Sequence, residues 1–171
     1  MITREWDVQP VLGQVVDGET GEPVNGARIV NSANPQLSAE SDGNGEFFIE
    51  AESKIRFHLL MFGSFIDRQV WQVSHDAYAN GVTLTSTHRP AFTEQLSEPV
   101  VPLFKNVDQA PDSCPFGPYL LRLYDWALHH RDPRLVAYDF PPAPSYFPCE
   151  DEGYRGELSE AYYHRLWEAV Y

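Results

Sequence analysis

Residues 10–105 form a series of short apolar runs separated by turn residues, and none of them has the length or spacing of a helix. The clearest run, Lys54 to Met61, alternates between apolar and polar residues, which predicts a half-buried strand. Its apolar face is expected to carry Ile55, Phe57, Leu59 and Met61, and its polar face Arg56 and His58. The other runs are Val11 to Val16, Gly26 to Val30, Leu37 to Ser41, Glu46 to Ala51, Gln69 to Ser74, Val82 to Thr87 and Val100 to Phe104. The pattern predicts a mainly β chain, folded as an antiparallel sandwich of about seven or eight strands.

The composition changes after residue 106, where prolines and helical spacing replace the alternating runs. We therefore interpret residues 1–106 as the β-sandwich and residues 107–171 as a proline-rich, helical C-terminal extension packed on it. Pro118 to Arg131 predicts one helix and Glu157 to Tyr171 another, whereas the prolines of residues 141–148 predict extended chain. The apolar stripes of the two helices are Leu120, Leu121, Tyr124 and Leu128, and Leu158, Tyr162, Leu166 and Val170.

Three linked motifs follow one another near the N-terminus. They are the strand Gly13 to Asp17 (GQVVD), the turn and strand Thr20 to Ile29 (TGEPVNGARI) and the turn Ser41 to Phe47 (SDGNGEF). In this order they resemble the carboxypeptidase regulatory-like domain family, which has the transthyretin-like (prealbumin-like) fold, and the strand rhythm extends the resemblance to Leu103. The Pro-Gly-x-Tyr element that this family has before its next strand is missing here, and the connection from Met61 to Arg68 is unusually long. The resemblance implies a non-enzymatic accessory module of an extracytoplasmic protein.

The charge balance is strongly acidic, with 12 Lys and Arg, 25 Asp and Glu, and a formal net charge of −13. Such a chain repels polyanions, so we expect no nucleic-acid partner. The charge favours another protein as the partner, one that is basic or has a basic patch, and acidity that serves solubility alone is the alternative. No stretch approaches the ~20 apolar residues that a transmembrane helix needs.

Cys114 and Cys149 are the only cysteines, and each has a neighbouring proline that predicts a rigid loop. We predict a disulfide between them, with two separate buried thiols as the alternative. A disulfide is typical of an oxidising compartment. We therefore expect a periplasmic or cell-envelope location, with an export signal or lipid anchor outside this chain, and a cytoplasmic location as the alternative.

Two patterns suggest metal binding, and each has a simpler interpretation. Asp42 to Gly45 resembles a calcium loop, but Ala51 stands where an EF-hand needs a glutamate. We therefore favour the tight turn of a hairpin whose return strand is Glu46 to Ala51. His58, His75 and His88 lie on different predicted strands and could converge on zinc. Scattered surface histidines are the favoured interpretation, and we expect no metal site and no cofactor.

A catalytic role on the same fold depends on one weak motif. Tyr154-Arg155-Gly156 resembles the Tyr-Arg-Gly-Ser end of transthyretin-related 5-hydroxyisourate hydrolases, but Glu157 replaces the serine and the segment lies next to a predicted helix. The chain also has no Gly-x-Ser-x-Gly nucleophile motif. We therefore expect no catalytic residues.

Aromatic residues concentrate in the last third of the chain, and an apolar segment precedes the Gln69 strand. Such residues serve both as interface anchors and as packing for a small helical extension, so both roles stay open. The candidate partner-binding residues are Phe62, Phe65, Ile66, Tyr146, Phe147, Tyr163 and Trp167. We expect a non-catalytic protein-binding or accessory module of the bacterial cell envelope, for example one that neutralises or chaperones a secreted toxin. The alternatives are a small-molecule hydrolase on this scaffold and a structural or carbohydrate-binding module.

Overall fold

The computed structural model of the protein describes residues 2–57, 63–130 and 141–167, with side chains as far as residue 164. Within these residues the chain is mainly β, as predicted, and the helices lie in the C-terminal part. The strands are β1 (Ile2–Val8), β2 (Val11–Asp17), β3 (Arg28–Asn31), β4 (Ser38–Glu40), β5 (Glu46–Ile49), β6 (Glu52–Phe57), β7 (Phe65–Ser74), β8 (Gly81–Arg89) and β9 (Val100–Leu103). The helices are α1 (Gly117–His129) and α2 (Glu152–Glu160), with a 3-10 turn at Pro144–Tyr146 and a π-helical segment at Ala161–Trp167.

Two sheets enclose the core of the sandwich. One has the strand order β5-β2-β9 and the other the order β4-β3-β7-β8. Alternate side chains of these strands point between the sheets, because successive residues of a strand face opposite ways. This core includes Val11, Val15, Ile29, Phe47, Trp71, Val73 and Leu103. The Trp71 indole N–H donates to the Thr85 hydroxyl at 2.8 Å, which satisfies the polar atom of the largest buried side chain.

One strand pair departs from the predicted antiparallel pattern. β9 runs parallel to β2, with Gln14 opposite Val100 and Asp17 opposite Leu103, whereas the other strand pairs of the described residues are antiparallel. The preceding segment approaches β2 first, because the Leu12 N–H donates to the Ser97 carbonyl at 2.9 Å. The parallel pair places β2 at the centre of its sheet.

The Asp42 to Gly45 turn forms as predicted, but it does not join two strands of one hairpin. Gly45 has a φ of +73°, and the Asp42 carboxylate accepts the backbone N–H groups of Asn44 and Glu46 at 2.8 and 3.0 Å. β4 then pairs with β3 in one sheet, and β5 pairs with β2 in the other. The prediction of a hairpin is therefore wrong, because the turn carries the chain from one sheet to the other.

The extension covers the side of the sandwich where both sheets end. β8 and β9 are terminal strands of their sheets, and Tyr119 and Leu123 of α1 pack in one apolar core with Val82 and Leu84 of β8. The Tyr119 hydroxyl also donates to the carbonyl of Pro102 in β9 at 3.0 Å. Val82 and Leu84 point away from the core that contains Trp71, so α1 packs on the outer face of β8, and its Tyr119 hydroxyl reaches β9.

Helix α1 begins one residue before the predicted range and ends two residues before the end of it, and its buried face is rotated from the predicted stripe. Leu120 and Tyr124 are buried as expected, whereas Leu121 and Leu128 are only partly buried. Leu123, which the stripe omits, is fully buried. The buried face is also wider than one line of side chains, because Tyr119 and Ala127 are buried as well.

Helix α2 begins five residues before the predicted start at Glu157. Asp151 is its N-cap, and the side chain accepts the Tyr154 N–H at 2.9 Å. This bond satisfies one of the free N–H groups of the first turn, so the helix begins there although Gly153 and Gly156 disfavour it. Leu158 is fully buried, as predicted, and Leu166 and Val170 lie outside the described side chains.

Cys114 and Cys149 form the predicted disulfide. Both are buried in the core that α1 shares with β8. The Glu150 N–H donates to the Ser113 carbonyl at 2.7 Å, beside the bond, and the Arg155 guanidinium donates to the Cys149 carbonyl. The disulfide and these hydrogen bonds fasten the proline-rich segment to the chain just before α1.

Candidate functional site

β1 and β6 form a two-stranded ribbon that belongs to neither sheet of the sandwich. Their register places Ile2 opposite Phe57 and Arg4 opposite Ile55, with Trp6 next on the same side of β1. Residues opposite each other in an antiparallel pair share a face, so these five side chains lie together. They are referred to below as the ribbon face.

The ribbon face exposes large apolar side chains. Ile2 is 71% exposed, Ile55 77% and Phe57 67%. Single exposed apolar residues are common on proteins, but here three of them adjoin across one strand pair. Burying such a side chain fully is worth about 1.5–3 kcal/mol. The ribbon face can therefore supply the apolar contact of a protein interface.

This arrangement corrects the prediction made for the Lys54 to Met61 run. The alternation is confirmed in β6, but its apolar side chains Ile55 and Phe57 are exposed and not the buried side of the strand. Leu59 and Met61 lie outside the described residues. The polar side of the ribbon turns toward the rest of the molecule at β1, where Glu5 is buried and Asp7 pairs with Arg89 of β8.

Ion pairs occupy the opposite face of the ribbon. The Lys54 Nζ lies 3.0 Å from the Asp7 carboxylate, and the Arg56 guanidinium lies 2.6 Å from Asp7 and 3.2 Å from Glu5. Glu5 is buried, while Lys54 and Arg56 are largely exposed. Such half-exposed pairs contribute little each to stability, and the burial of Glu5 shows that this side of β1 faces inward.

Arg89, at the end of β8, joins the ribbon to the sandwich. Its guanidinium lies 3.0 Å from Asp7 and 2.8 Å from Asp67 of β7, and it donates to the carbonyl oxygens of Trp6 and Asp7 at 2.9 and 2.7 Å. Burial alone would lower the pKa of Arg89 and raise that of Asp7. The ion pairs and hydrogen bonds outweigh burial, so the pKa of Arg89 is raised and the pKa of Asp7 is lowered. Both groups are charged at neutral pH, and charge-assisted hydrogen bonds hold the ribbon in place.

Two of the candidate partner-binding residues from the Met61 segment lie at the same end of the molecule as the ribbon. Phe65, the first residue of β7, is 65% exposed and stands opposite Arg89. Ile66 is partly buried and stands opposite His88. Phe62 lies outside the described residues. Phe65 is therefore an exposed apolar residue close to the point where Arg89 fastens β1.

The four C-terminal candidates differ in their surroundings. Tyr146 is partly buried, with the Arg68 guanidinium 4.4 Å from its ring centroid, and Phe147 is buried against Phe116. Tyr163 is exposed in the π-helical segment, and the Trp167 side chain lies outside the description. The packing of Phe147 on Phe116 explains the position of its ring. The contact with the Arg68 guanidinium explains the position of the Tyr146 ring.

The sequence pattern did not reveal that the side chains of Ile2, Ile55 and Phe57 are exposed. A strand with one apolar and one charged face has the same alternation whichever face is buried, so periodicity alone could not identify the outer one. β1 was missed because Arg4 and Trp6 share its apolar side and obscure the contrast. One sequence signal could have indicated this ribbon. Glu5 and Asp7 alternate with other residues in one segment, and Lys54 and Arg56 do so in another, so the two segments can pair through opposite charges.

The histidines do not converge as the zinc hypothesis requires. His75 follows β7, whereas His88 lies near the far end of β8, opposite Ile66. The antiparallel register therefore puts these two residues at opposite ends of the β7–β8 pair, and His58 lies outside the described residues. Across the residues that the structure describes, no group of three or more His, Cys, Asp or Glu side chains could hold a metal ion.

The Tyr154-Arg155-Gly156 motif lies inside α2, not before it. The Tyr154 ring packs so closely on Gly117 that a Cβ there would overlap it, and the Arg155 guanidinium is held by the Cys149 carbonyl. Both side chains are therefore engaged in packing α2 against the beginning of α1. This placement gives the motif a structural explanation.

Asp17 is the centre of a second polar cluster, at the turn after β2. Its carboxylate accepts the backbone N–H groups of Glu19 and Thr20 at 2.8 and 3.1 Å and the Tyr78 hydroxyl at 2.8 Å, and it pairs with Lys105 at 3.0 Å. Burial would raise its pKa, but these bonds outweigh burial and hold the pKa of Asp17 well below its usual range. Every contact is internal, so the cluster stabilises the turn.

Replacing Asp17 with asparagine is expected to lower the free energy of unfolding by about 1–2 kcal/mol at pH 7. A carboxylate with a depressed pKa stabilises the fold above its unfolded pKa of about 3.9 and loses that contribution as the pH falls toward the folded value. The difference between Asp17→Asn and the original chain should therefore shrink below about pH 4. Urea unfolding followed by circular dichroism at several pH values measures it, and a difference that stays constant down to pH 2 would contradict the assignment.

No protein-family model matches the chain, and a search of curated proteins finds no match. The carboxypeptidase regulatory-like resemblance thus stays a prediction from the motifs between Gly13 and Phe47. Among the described residues, no helix is long and apolar enough to cross a membrane.

Proposed function

We propose that this chain is a non-catalytic protein-binding module and that the ribbon face is its docking surface. The observation that carries the proposal is the exposure of Ile2, Ile55 and Phe57 side by side, on a ribbon whose other face is anchored by Arg89. An apolar surface on a fixed support needs little reorganisation when a partner covers it, so more of the contact energy appears as affinity. Phe65 extends the apolar character of this end of the molecule.

The partner is proposed to act outside the cytoplasm, in the periplasm or at the cell envelope. The disulfide between Cys114 and Cys149 supports an oxidising compartment, because such bonds persist where thiols are not continuously reduced. A secreted protein, for example a toxin held inactive during export, is a partner of this kind. Apolar anchors inserted between Ile55 and Phe57 are the contacts that the partner is expected to provide.

Changing Ile55 and Phe57 together to serine is expected to weaken partner binding at least about tenfold, which corresponds to 1.4 kcal/mol, because both side chains lose their buried area in the complex. The fold should change little, because both side chains are already exposed in the free chain. The partner is isolated with the original chain from the native organism, identified by mass spectrometry, and titrated against both forms by calorimetry.

A matched control lies on the outer face of the sandwich, where Leu12 and Phe48 are opposite each other and 40% and 54% exposed. Leu12→Ser with Phe48→Ser removes a similar apolar pair without touching the ribbon. This variant is expected to bind the partner normally. A partner retained by the Ile55/Phe57 variant but lost from the Leu12/Phe48 variant would place the docking surface on the other sheet, and recovery of no partner would reject the function.

A further inference from the structure

β6 has one edge that pairs with no strand of the described residues. In the part of the chain that the structure describes, β6 pairs only with β1, and every residue of β6 except Ser53 is exposed. A terminal strand presents N–H and C=O groups that lack a partner on one side. α1 packs against β8 and β9, so the edge of β6 differs from these two terminal strands of the sandwich.

A second copy of the chain fits this edge poorly. Two β6 strands related by a two-fold axis would pair antiparallel, with residues of one face opposite residues of the same face. Centring on Ile55 puts Lys54 opposite Arg56, and centring on Arg56 puts two arginines opposite each other, and like charges directly opposite destabilise a strand pair. Centring on Lys54 or Ser53 instead puts Glu52 opposite Arg56 or Lys54, but Phe57 then lies beyond the paired residues of β6. No register therefore pairs both the charged and the apolar residues well.

The same charges favour a partner strand with acidic side chains. The side chains of Lys54 and Arg56 are 68% and 48% exposed, so each can form an ion pair with a further carboxylate besides those of β1. The ribbon is also less acidic than the chain: Arg4, Lys54 and Arg56 balance Glu5, Asp7 and Glu52, whereas the whole chain has 12 basic and 25 acidic residues. The net charge of the ribbon therefore repels an acidic strand less than the net charge of the whole chain would.

We propose that the free edge of β6 is a site of strand addition for an extended segment of another protein. Main-chain hydrogen bonds along the edge would provide affinity, and alternating side chains would provide specificity, as in other cases of strand addition. Apolar residues of the incoming strand lie beside Ile55 and Phe57, and acidic residues lie beside Lys54 and Arg56. The inference rests on the proposed function and defines the chemistry of the segment that binds, whatever the net charge of the rest of the partner.

The test uses synthetic peptides of about eight residues, the length of an ordinary strand, with blocked ends. One alternates valine with glutamate, a second alternates valine with lysine, and a third is the valine–glutamate peptide with every backbone amide N-methylated. Hydrogen exchange of the full chain is followed by NMR with each peptide in excess. The first peptide is expected to slow exchange of amides in residues 52–57 about tenfold or more, and the other two to leave it unchanged.

A charge variant supplies the second measurement. Lys54→Glu is expected to weaken binding of the valine–glutamate peptide about tenfold and to strengthen binding of the valine–lysine peptide. Thermal unfolding shows whether the Lys54→Glu variant keeps the fold. If the variant does not fold, the peptide series on the original chain still tests the proposal. Leu12→Ser with Phe48→Ser is the control that should bind the valine–glutamate peptide normally.

Three results would overturn strand addition: no protection of residues 52–57, equal binding of the two charged peptides, or binding that survives N-methylation. Protection that rises with protein concentration in the absence of peptide, together with a dimer in sedimentation, would make a second copy the occupant. Loss of the native partner from Ile55→Ser with Phe57→Ser, but no peptide effect on β6, would reject the strand and keep the proposed function. Retention of the partner by that variant would reject the docking surface itself.

Discussion

Alanine at position 45 is expected to lower the free energy of unfolding by about 3–4 kcal/mol, a large part of the stability of a domain of this size. Gly45 has a φ of +73°, which costs an L side chain energy, and a Cβ there would overlap the carbonyl oxygen of Val15. That carbonyl cannot move away freely, because it accepts the Val24 N–H at 3.0 Å and the Val15 N–H donates to Gly45. The substitution therefore strains the turn and the β2 backbone together.

Gly21 provides the matched control. Its φ of +75° is nearly the same, but nothing lies within 4 Å of where its Cβ would stand. Gly21→Ala should therefore cost only the backbone term, about 1–2 kcal/mol. Urea unfolding of the two variants and the original chain, with the slope compared as well as the midpoint, separates the overlap from the dihedral cost. Equal losses at the two positions would show that the contact with Val15 is relieved without cost.

Removal of the disulfide is expected to have the other large effect, about 4 kcal/mol for a closed loop of this length in the chain-entropy account. The bond joins residues 35 apart and both sulfurs lie in the core between α1 and β8. Cys114→Ala with Cys149→Ala avoids an unpaired buried thiol and leaves small apolar side chains in that core. The midpoint of urea unfolding should fall accordingly.

A reducing agent distinguishes the crosslink from the change of side chain. Reduced original chain should unfold at nearly the midpoint of the double variant, and the agent should not affect the variant itself. An original chain whose midpoint is unchanged by complete reduction would contradict the stabilising role. The ribbon lies in a different part of the chain, so peptide binding to β6 is expected to survive mild reduction as long as the fold persists.

The sandwich could be predicted because its signals are local. Gly21, Gly26 and Gly45 have positive φ, as their turn motifs indicate, and the alternating runs of β2, β5 and β7 face the core as expected. The start of α2 had a local signal as well, the capping residue Asp151, but Gly153 and Gly156 masked it in a helix-propensity argument.

The remaining features depend on contacts between distant segments. Nothing near Val100 indicates that β9 lies parallel to β2, because that pairing is decided by the path of the whole chain. The outward turn of Ile55 and Phe57 follows from Glu5, Asp7 and Arg89, which are far from β6 in sequence. The sequence therefore predicted a strand at the candidate site but not the exposure of its apolar face.

The pairing of β9 with β2 also determines the order in which a growing chain can fold. β2 is synthesised among the first strands, yet one of its two neighbours is complete only when Leu103 has been added. One edge of β2, which includes Val15, therefore stays unpaired while most of the sandwich is synthesised. Contacts between residues this far apart in sequence also form slowly. A nascent chain whose synthesis pauses before residue 100 is expected to aggregate and to be cleaved by proteases. A chain whose synthesis has continued beyond α1 is expected to resist both.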